Sequence, residues 1–306
     1  MTLNVERLAS LDRTLRRWLA TAVYELRRTR RVIVAPESRI ACSSPIFVLG
    51  VHRSGTTLLR LILDTHSRIA CPPESFFLGA LEGLLSDPKS REGLMAMGFD
   101  EAHVLGRLRE LSGYFFETYA ASHGKPRWAD KTPAYIDHLG FIESLFAPGC
   151  RYLLILRHGL DVAASIARME IREVVPHIEA CGGDRHAGAA RYWSTQCAKL
   201  LAFRDAHPDR CHVIRYEALV EDPEPTLRPI FRFLSEPWEP EVLRFHEKPH
   251  DHWIGLQDGE AAESRGFLRR SERWRSLPAE RVEAMLRECG AMLDALGYAA
   301  PERAGR

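Results

Sequence analysis

Short, mainly apolar runs alternate with amphipathic stretches along most of the chain. The runs have the length and composition of strands, and the stretches between them repeat apolar positions with the period of a helix. Strands that alternate with helices predict an α/β fold of the phosphate-loop type, in which helices flank a central, mainly parallel sheet in three layers. The predicted strands are residues 45–49, 69–70, 127–129, 151–156 and 211–215.

Three longer segments depart from this simple alternation. Residues 81–125 and 170–200 continue as helical patterns, which predicts helical insertions. Residues 248–266 contain several glycines and predict a mobile loop. Helices are expected to begin at the Thr-Pro pair 132–133 and the Asp-Pro pair 222–223, because a capping residue followed by proline is typical of a helix N-terminus.

A glycine-containing loop separates the first predicted strand from a helix. Residues 50–57 have the sequence Gly-Val-His-Arg-Ser-Gly-Thr-Thr. A tight loop at a helix N-terminus presents unpaired backbone N–H groups and the positive end of the helix dipole, which favours a phosphate. Thr56 occupies the place of the lysine in the common G-x-x-x-x-G-K-[ST] loop, and the cation is Arg53 instead. The loop therefore predicts a nucleotide site but argues against a nucleoside triphosphate.

The strand at 151–156 leads directly into Arg157. In phosphate-loop ATPases and kinases, the corresponding strand commonly ends in an aspartate that helps to bind Mg²⁺. A guanidinium instead pairs with two phosphate oxygens and repels a cation. The segment therefore predicts a second phosphate on the ligand and no essential metal, although an arginine at a strand end is also a common surface residue.

The combination of R-S-G-T-T at 53–57 with R-(x)7-S at 157–165 resembles the sulfotransferases that use 3′-phosphoadenosine 5′-phosphosulfate (PAPS). Y-E-x-L-x-x-D-P at 216–223 extends the resemblance, which covers about residues 45–300 in family order. It implies that the loop binds the 5′-phosphosulfate, that Arg157 and Ser165 bind the 3′-phosphate, and that Tyr216 lies near the adenosine. An aromatic anchor at the sheet edge is the alternative role for Tyr216. The implied loop ligands are Arg53, Ser54, Gly55, Thr56 and Thr57.

Glu74 and Lys131 are the candidates for chemistry between these two motifs. Sulfuryl transfer to a hydroxyl needs a base for the acceptor proton and a cation for charge on the leaving oxygen. The resemblance is nearest to protein-tyrosine sulfotransferases and related bacterial enzymes, and it implies Glu74 as the base and Lys131, with Arg53, as the cations. Small-molecule sulfotransferases use a histidine in a K-x-H context, where this chain has Pro133. A solvated loop glutamate and a surface lysine are the structural alternatives.

Composition narrows the remaining classes of protein. The chain has 306 residues, 45% of them hydrophobic, and a formal net charge of +1, which argues against general nucleic-acid binding. Its seven cysteines are scattered, without a C-x-x-C pair, and predict free thiols in a reducing compartment. Neither an apolar run long enough to span a membrane nor a secretory signal is evident. We therefore predict a cytoplasmic protein.

Both ends of the chain add hypotheses of their own. Residues 1–35 predict a basic amphipathic helix, with eight arginines in 1–31, and residues 36–306 a sulfotransferase domain. The helix could pack on its own domain, contact a second subunit in a homo-oligomer, or lie on an anionic membrane. Arg269 and Arg270 loosely match the family's last nucleotide-contacting segment, and they also fit a solvated charged surface.

The sequence thus predicts a PAPS-dependent sulfotransferase that acts by in-line transfer with a carboxylate base. A phosphate-loop kinase and a nucleotide-binding module without turnover remain as alternatives. The acceptor is a hydroxyl on a peptide, carbohydrate, lipid or small molecule, and the sequence does not choose among them.

Overall fold

The computed structural model describes residues 42, 44–251, 266–268 and 272–298. Five strands form one sheet in the order β2-β3-β1-β4-β5, and every neighbouring pair is parallel. The predicted α/β fold is therefore confirmed, and all five predicted strands are present. Their bounds are β1 Ile46–Leu49, β2 Ile69–Ala70, β3 Arg127–Lys131, β4 Arg151–Leu156 and β5 Cys211–Arg215.

Eleven α-helices lie in the part of the chain that the structure describes, and both predicted insertions are helical. The α-helices are α1 Thr56–Thr65, α2 Phe77–Ser86, α3 Pro88–Ala96, α4 Glu101–Ser122, α5 Leu139–Phe146, α6 Gly159–Ile166, α7 Val175–Ala180, α8 Arg185–Ala206, α9 Tyr216–Glu221, α10 Pro223–Phe233 and α11 Ala279–Ala295. Short 3₁₀ helices span Pro133–His138, Arg172–Val174, Pro208–Arg210, Pro240–Glu247 and Arg273–Ser276.

Each face of the sheet buries its own hydrophobic core. Successive strand side chains point to opposite faces, so Phe47 and Ile46 of β1 belong to different cores. On one face, Trp128 stacks on Phe116 of α4 with ring centroids 4.2 Å apart. On the other face, α1 and α10 pack through residues such as Ile62. Helices on both sides of one parallel sheet make the three layers that the sequence predicts.

The two predicted proline helix starts have different outcomes. Helix α10 begins at Pro223, as predicted, although the side chain of Asp222 forms no capping hydrogen bond. At Pro133 a 3₁₀ helix begins instead of an α-helix, and Thr132 does not cap it. The Thr132 hydroxyl accepts a hydrogen bond from the Ser75 amide at 3.0 Å. The Thr132 hydroxyl thus bonds a segment that is distant in the sequence instead of capping its own helix.

Some predictions fall on residues that the structure does not describe. The basic helix of residues 1–35, with the contacts proposed for 1–31, lies outside the described residues, as do Arg269 and Arg270. Of the loop at 248–266, only residues 248–251 and Gly266 are described. Within the described ranges, every helix is too short or too polar to cross a membrane.

Replacing Gly159 by alanine should destabilise the fold, because the added Cβ would lie 2.6 Å from Cζ3 of the buried Trp193. We expect a loss of about 1–3 kcal/mol in the free energy of unfolding, measured by urea denaturation. The control is Gly106→Ala in the interior of α4, where nothing lies within 4 Å of the added Cβ. That variant should gain about 0.5–1 kcal/mol from helix propensity. Equal stability of the two variants would contradict the packing of α6 on α8.

Candidate active site

The predicted site segments meet at the carboxyl ends of three central strands. Loop 50–57 follows β1, Lys131 ends β3, and Arg157 follows β4. Strands β3 and β4 both pair with β1, on opposite sides of it. In open parallel sheets, ligands bind at this edge, where the chain reverses its direction across the sheet. The topology therefore places the three segments around one crevice.

The phosphate loop has the backbone geometry of an anion cradle. Arg53 and Gly55 have φ angles of +70° and +96°, and Gly55 is the N-cap residue of α1. A Cβ on Gly55 would lie 2.4 Å from Cδ2 of Tyr216, so the close approach requires glycine. Ser54 is fully buried, and its Oγ has no hydrogen-bond partner among the described residues. An orphaned hydroxyl beside a helix N-terminus fits a phosphate or sulfate oxygen.

Two arginines connect the loop to the second predicted phosphate site. Arg53 Nε donates to Ser165 Oγ at 3.1 Å, and Arg157 Nη1 donates to the backbone oxygen of Arg53 at 3.0 Å. The Arg157 guanidinium lies over the Tyr216 ring, 4.2 Å from its centroid. The structure thus brings together Arg53, Arg157, Ser165 and Tyr216. The first and last of these four residues are more than 160 positions apart in the sequence. Two guanidinium groups beside a helix N-terminus make a strongly anion-attracting site.

The candidate base and the candidate cation contact each other directly. Lys131 Nζ donates to Glu74 Oε1 at 2.5 Å and to Thr57 Oγ1 at 3.2 Å. Lys131 is 1% exposed, whereas the Glu74 side chain is 14% exposed. Neither residue therefore has the solvated surface position that was the structural alternative. One ammonium group thus joins the first turn of α1 to the segment after β2. Of the two paired groups, the carboxylate is the one that solvent partly reaches.

Hydrogen bonds fix the segment that carries Glu74. The Ser75 amide donates to Thr132 Oγ1, as described above, and Ser75 Oγ lies 2.7 Å from the Tyr135 hydroxyl. That hydroxyl also accepts from the Leu78 amide at 3.1 Å. The segment after β3 is thus hydrogen-bonded to the segment after β2 at Ser75 and at Leu78. These bonds restrain the backbone next to the candidate base.

His52 is a site residue for which the sequence predicts no role. Its Nδ1 lies 3.0 Å from the hydroxyl of Tyr192 on α8. Burial lowers the pKa of His52 to about 4, Lys131 contributes in the same direction, and Glu173 opposes it. The imidazole is therefore neutral near pH 7 and links the loop to an insertion helix. Only the position of His52 inside the loop could have indicated this role from the sequence.

Asp161 is a second residue without a predicted role. It lies in the first turn of α6, and its Oδ1 accepts a hydrogen bond from the Glu272 amide at 2.6 Å. Burial raises the pKa of Asp161, while nearby Arg157 partly offsets the shift. This hydrogen bond holds the segment around Glu272 close to Arg157. Within the described ranges, no group of three or more His, Cys, Asp or Glu side chains is arranged to hold a metal ion.

Comparison with known proteins decides the family. A model of the sulfotransferase family matches residues 45–240, which include β1 to β5 and every site residue named above except Glu272. The chain belongs to the sulfotransferase family. It is 29% identical over 218 residues to protein-tyrosine sulfotransferase 1 of Danio rerio, a match that covers 70% of this chain and 58% of that protein. It is also 29% identical over 276 residues to the nodulation protein NoeE of Sinorhizobium fredii, covering 82% and 65%.

Solved structures agree with this sulfotransferase fold. The sulfotransferase domain from the curacin biosynthetic pathway matches with a TM-score of 0.61 at 24% identity, covering 86% of this chain and 100% of that one. The sulfotransferase domain of the Synechococcus olefin synthase matches with a TM-score of 0.57 at 20% identity, covering 88% and 99%. At these identities the likeness shows the fold alone. The chain spans about three fifths of the length of the two curated relatives named above.

The half-buried His52 makes the stability of this protein sensitive to acid. Because the folded pKa of His52, about 4, lies below its unfolded value, the unfolded chain binds the proton first as the pH falls. We expect the free energy of unfolding to decrease by roughly 2–3 kcal/mol between about pH 7 and pH 4 through this group. The stability difference between wild type and His52→Gln should therefore change in that window. A His52 ring that titrates near 6.5 by NMR would contradict the prediction.

Proposed function

We propose that this protein transfers the sulfuryl group of PAPS to the hydroxyl of an acceptor. The observation that carries the proposal is the buried contact of Lys131 with both Glu74 and Thr57 of the phosphate loop. It joins a cation to a candidate base at the edge of a nucleotide cradle, and the family match supports the reaction class.

The donor would lie across the two anion-binding parts of the crevice. The amides of residues 54–57 and the Arg53 guanidinium suit the 5′-phosphosulfate, and the orphaned Ser54 hydroxyl adds a donor. Arg157 and Ser165 suit the 3′-phosphate, because a guanidinium and a hydroxyl lie together beyond Arg53. Tyr216 packs on Arg157 and against Gly55, where it could flank the adenosine.

In the reaction, Glu74 takes the proton from the acceptor hydroxyl as its oxygen forms a bond to sulfur. The bond between sulfur and the bridging oxygen of the nucleotide breaks, and Lys131 and Arg53 stabilise the charge that develops there. Lys131 suits this role because it already contacts the first turn of α1. The contribution of the protein is positioning and fixed charge.

The other functions considered from the sequence have less support. A kinase of the phosphate-loop class would use a loop lysine and a strand-end carboxylate, where this chain has Thr56 and Arg157. A binding module without turnover would not require a buried lysine whose Nζ lies 2.5 Å from a glutamate oxygen, because burying such a pair costs desolvation energy.

Nucleotide binding can be measured by calorimetry with adenosine 3′,5′-bisphosphate, ADP, and ATP with Mg²⁺. We expect the bisphosphate to bind most tightly and Arg157→Ala to weaken it by at least tenfold, because a charge-assisted pair contributes about 1.5–3 kcal/mol. Arg151→Ala, at the opposite end of β4, is the matched control and should bind as wild type does. Preference for ATP with Mg²⁺ would refute the proposed donor and favour the kinase.

Glu74→Gln should lower kcat by about 10²–10⁴-fold, because it removes the base but keeps the shape of the side chain. The affinity for adenosine 3′,5′-bisphosphate should remain within a few-fold of wild type. The assay is release of the bisphosphate from PAPS in the presence of peptide, carbohydrate, lipid and small-molecule hydroxyl acceptors.

The matched control is Glu82→Gln, which changes a carboxylate of the neighbouring helix α2 that pairs with His138. It should turn over as wild type does. Full activity of Glu74→Gln with any acceptor would exclude Glu74 as the base and leave the donor site unaffected.

A further inference from the structure

Asp130 is a carboxylic acid in the sheet that the proposed reaction does not use. It is 1% exposed and lies in β3 beside Phe47 of β1. The hydroxyls of Ser75 and Thr132 face its carboxyl group, but in the geometry of the structure neither they nor another described residue completes a hydrogen bond to its oxygens. A charged carboxylate without hydrogen bonds is strongly disfavoured in such a position, whereas a protonated one is tolerated.

The strand places Asp130 on the opposite face from Lys131. Successive side chains alternate, so Asp130 shares a face with Trp128, whereas Lys131 reaches α1 on the other face. Asp130 therefore lies inside a strand, and its side chain does not share a face with that of Lys131. Its surroundings are the hydroxyl groups of Ser75, Thr132 and Tyr135, which fix the segment that carries Glu74.

The charged and titratable groups that face Asp130 come from three segments. Lys131 of β3 favours its ionised form, and Glu74 after β2 disfavours it. Tyr135 and Cys71 also interact with it electrostatically, and β1 contributes only the apolar Phe47. Burial is the largest effect, and it raises the pKa of Asp130 to about 7 although the hydroxyls of Ser75 and Thr132 partly lower it. The proton is thus lost within the physiological range.

We propose that Asp130 is a positioning residue: its protonated form keeps the Ser75–Thr132–Tyr135 network and hence Glu74 in the catalytic geometry, and its ionisation disturbs that geometry. The inference rests on the proposed function of Glu74. When Asp130 loses its proton, its negative charge acts on the Lys131 ammonium from the other face of the strand, in addition to the charge of Glu74. The hydroxyls of Ser75 and Thr132 also gain a stronger acceptor than their present partners. Both effects pull on the segment that holds the base.

The proposal predicts the pH profile of kcat. In wild type, kcat should fall above about pH 7 with the slope of a single ionisation, about tenfold per pH unit at the limit. Asp130→Asn, a neutral side chain of the same shape, should keep kcat within a few-fold at about pH 6 and lose this alkaline limb. Asp137→Asn, which changes a carboxylate paired with Lys199, is the control and should keep it. An unchanged alkaline limb in Asp130→Asn would overturn the proposal.

A second measurement, of Tm against pH, needs no enzymatic activity. It distinguishes failure of the Asp130 proposal from failure of the proposed function. Because the folded pKa of Asp130 lies above its unfolded value, the folded form holds the proton more tightly, and its stabilising effect is lost as the pH rises from about 4 to about 7. The Tm of wild type relative to Asp130→Asn should therefore fall across that range and stay constant above it. A difference that does not change with pH would refute the proton on Asp130, whereas absence of bisphosphate binding would refute the donor assignment instead.

Tyr135→Phe tests the network if Asp130→Asn does not fold. It removes the hydroxyl between Ser75 and the Leu78 amide and keeps the ring. We expect kcat to fall several-fold while the KM for PAPS stays within twofold, because the donor cradle is untouched. Wild-type kcat in this variant would show that the network does not position Glu74.

Discussion

The active-site edge depends on one buried ammonium group. Lys131 lies between the first turn of α1 and the carboxylate of Glu74, so loop 50–57 and the candidate base share a single partner. Removing either partner from a buried ion pair leaves an uncompensated charge, which costs more than the pair contributes. Lys131 can hold this position because β3 lies between β1 and β2, with its carboxyl end beside the phosphate loop.

Other buried charges hold segments of the protein together through backbone oxygens. Arg127 donates to the carbonyl oxygens of Ser44 and Leu234, and Arg60 of α1 donates to the carbonyl oxygens of Pro72 and Asp251. A guanidinium has five donors in a rigid plane, so one side chain can satisfy carbonyl groups from distant loops. Arg60 thereby connects the helix of the phosphate loop to the segment that leads to Glu74.

The two sides of the crevice differ in electrostatics. Arg53, Arg157 and the N-terminus of α1 make one side positive, which suits a ligand with several anionic groups. On the other side, Glu74 and Asp130 are carboxyl groups near one lysine, and burial raises the pKa of Asp130 to about 7. Asp130 and His52 have opposite pH sensitivities, because burial raises the pKa of an acid and lowers that of a base.

The sequence alone determined the fold class, the five strands and the loop between β1 and α1, because these follow from local periodicity and from short motifs at strand ends. It also identified Arg157 from its place at the end of a strand, and Glu74 and Lys131 through the resemblance to known sulfotransferases. Only the tertiary structure decided that Lys131 contacts Glu74, that His52 contacts Tyr192, and that Thr132 bonds Ser75 instead of capping its helix. Each of these contacts joins segments far apart in the chain. The free energy of burial and pairing that selects such contacts depends on the packed environment. It therefore leaves no periodic pattern in the sequence.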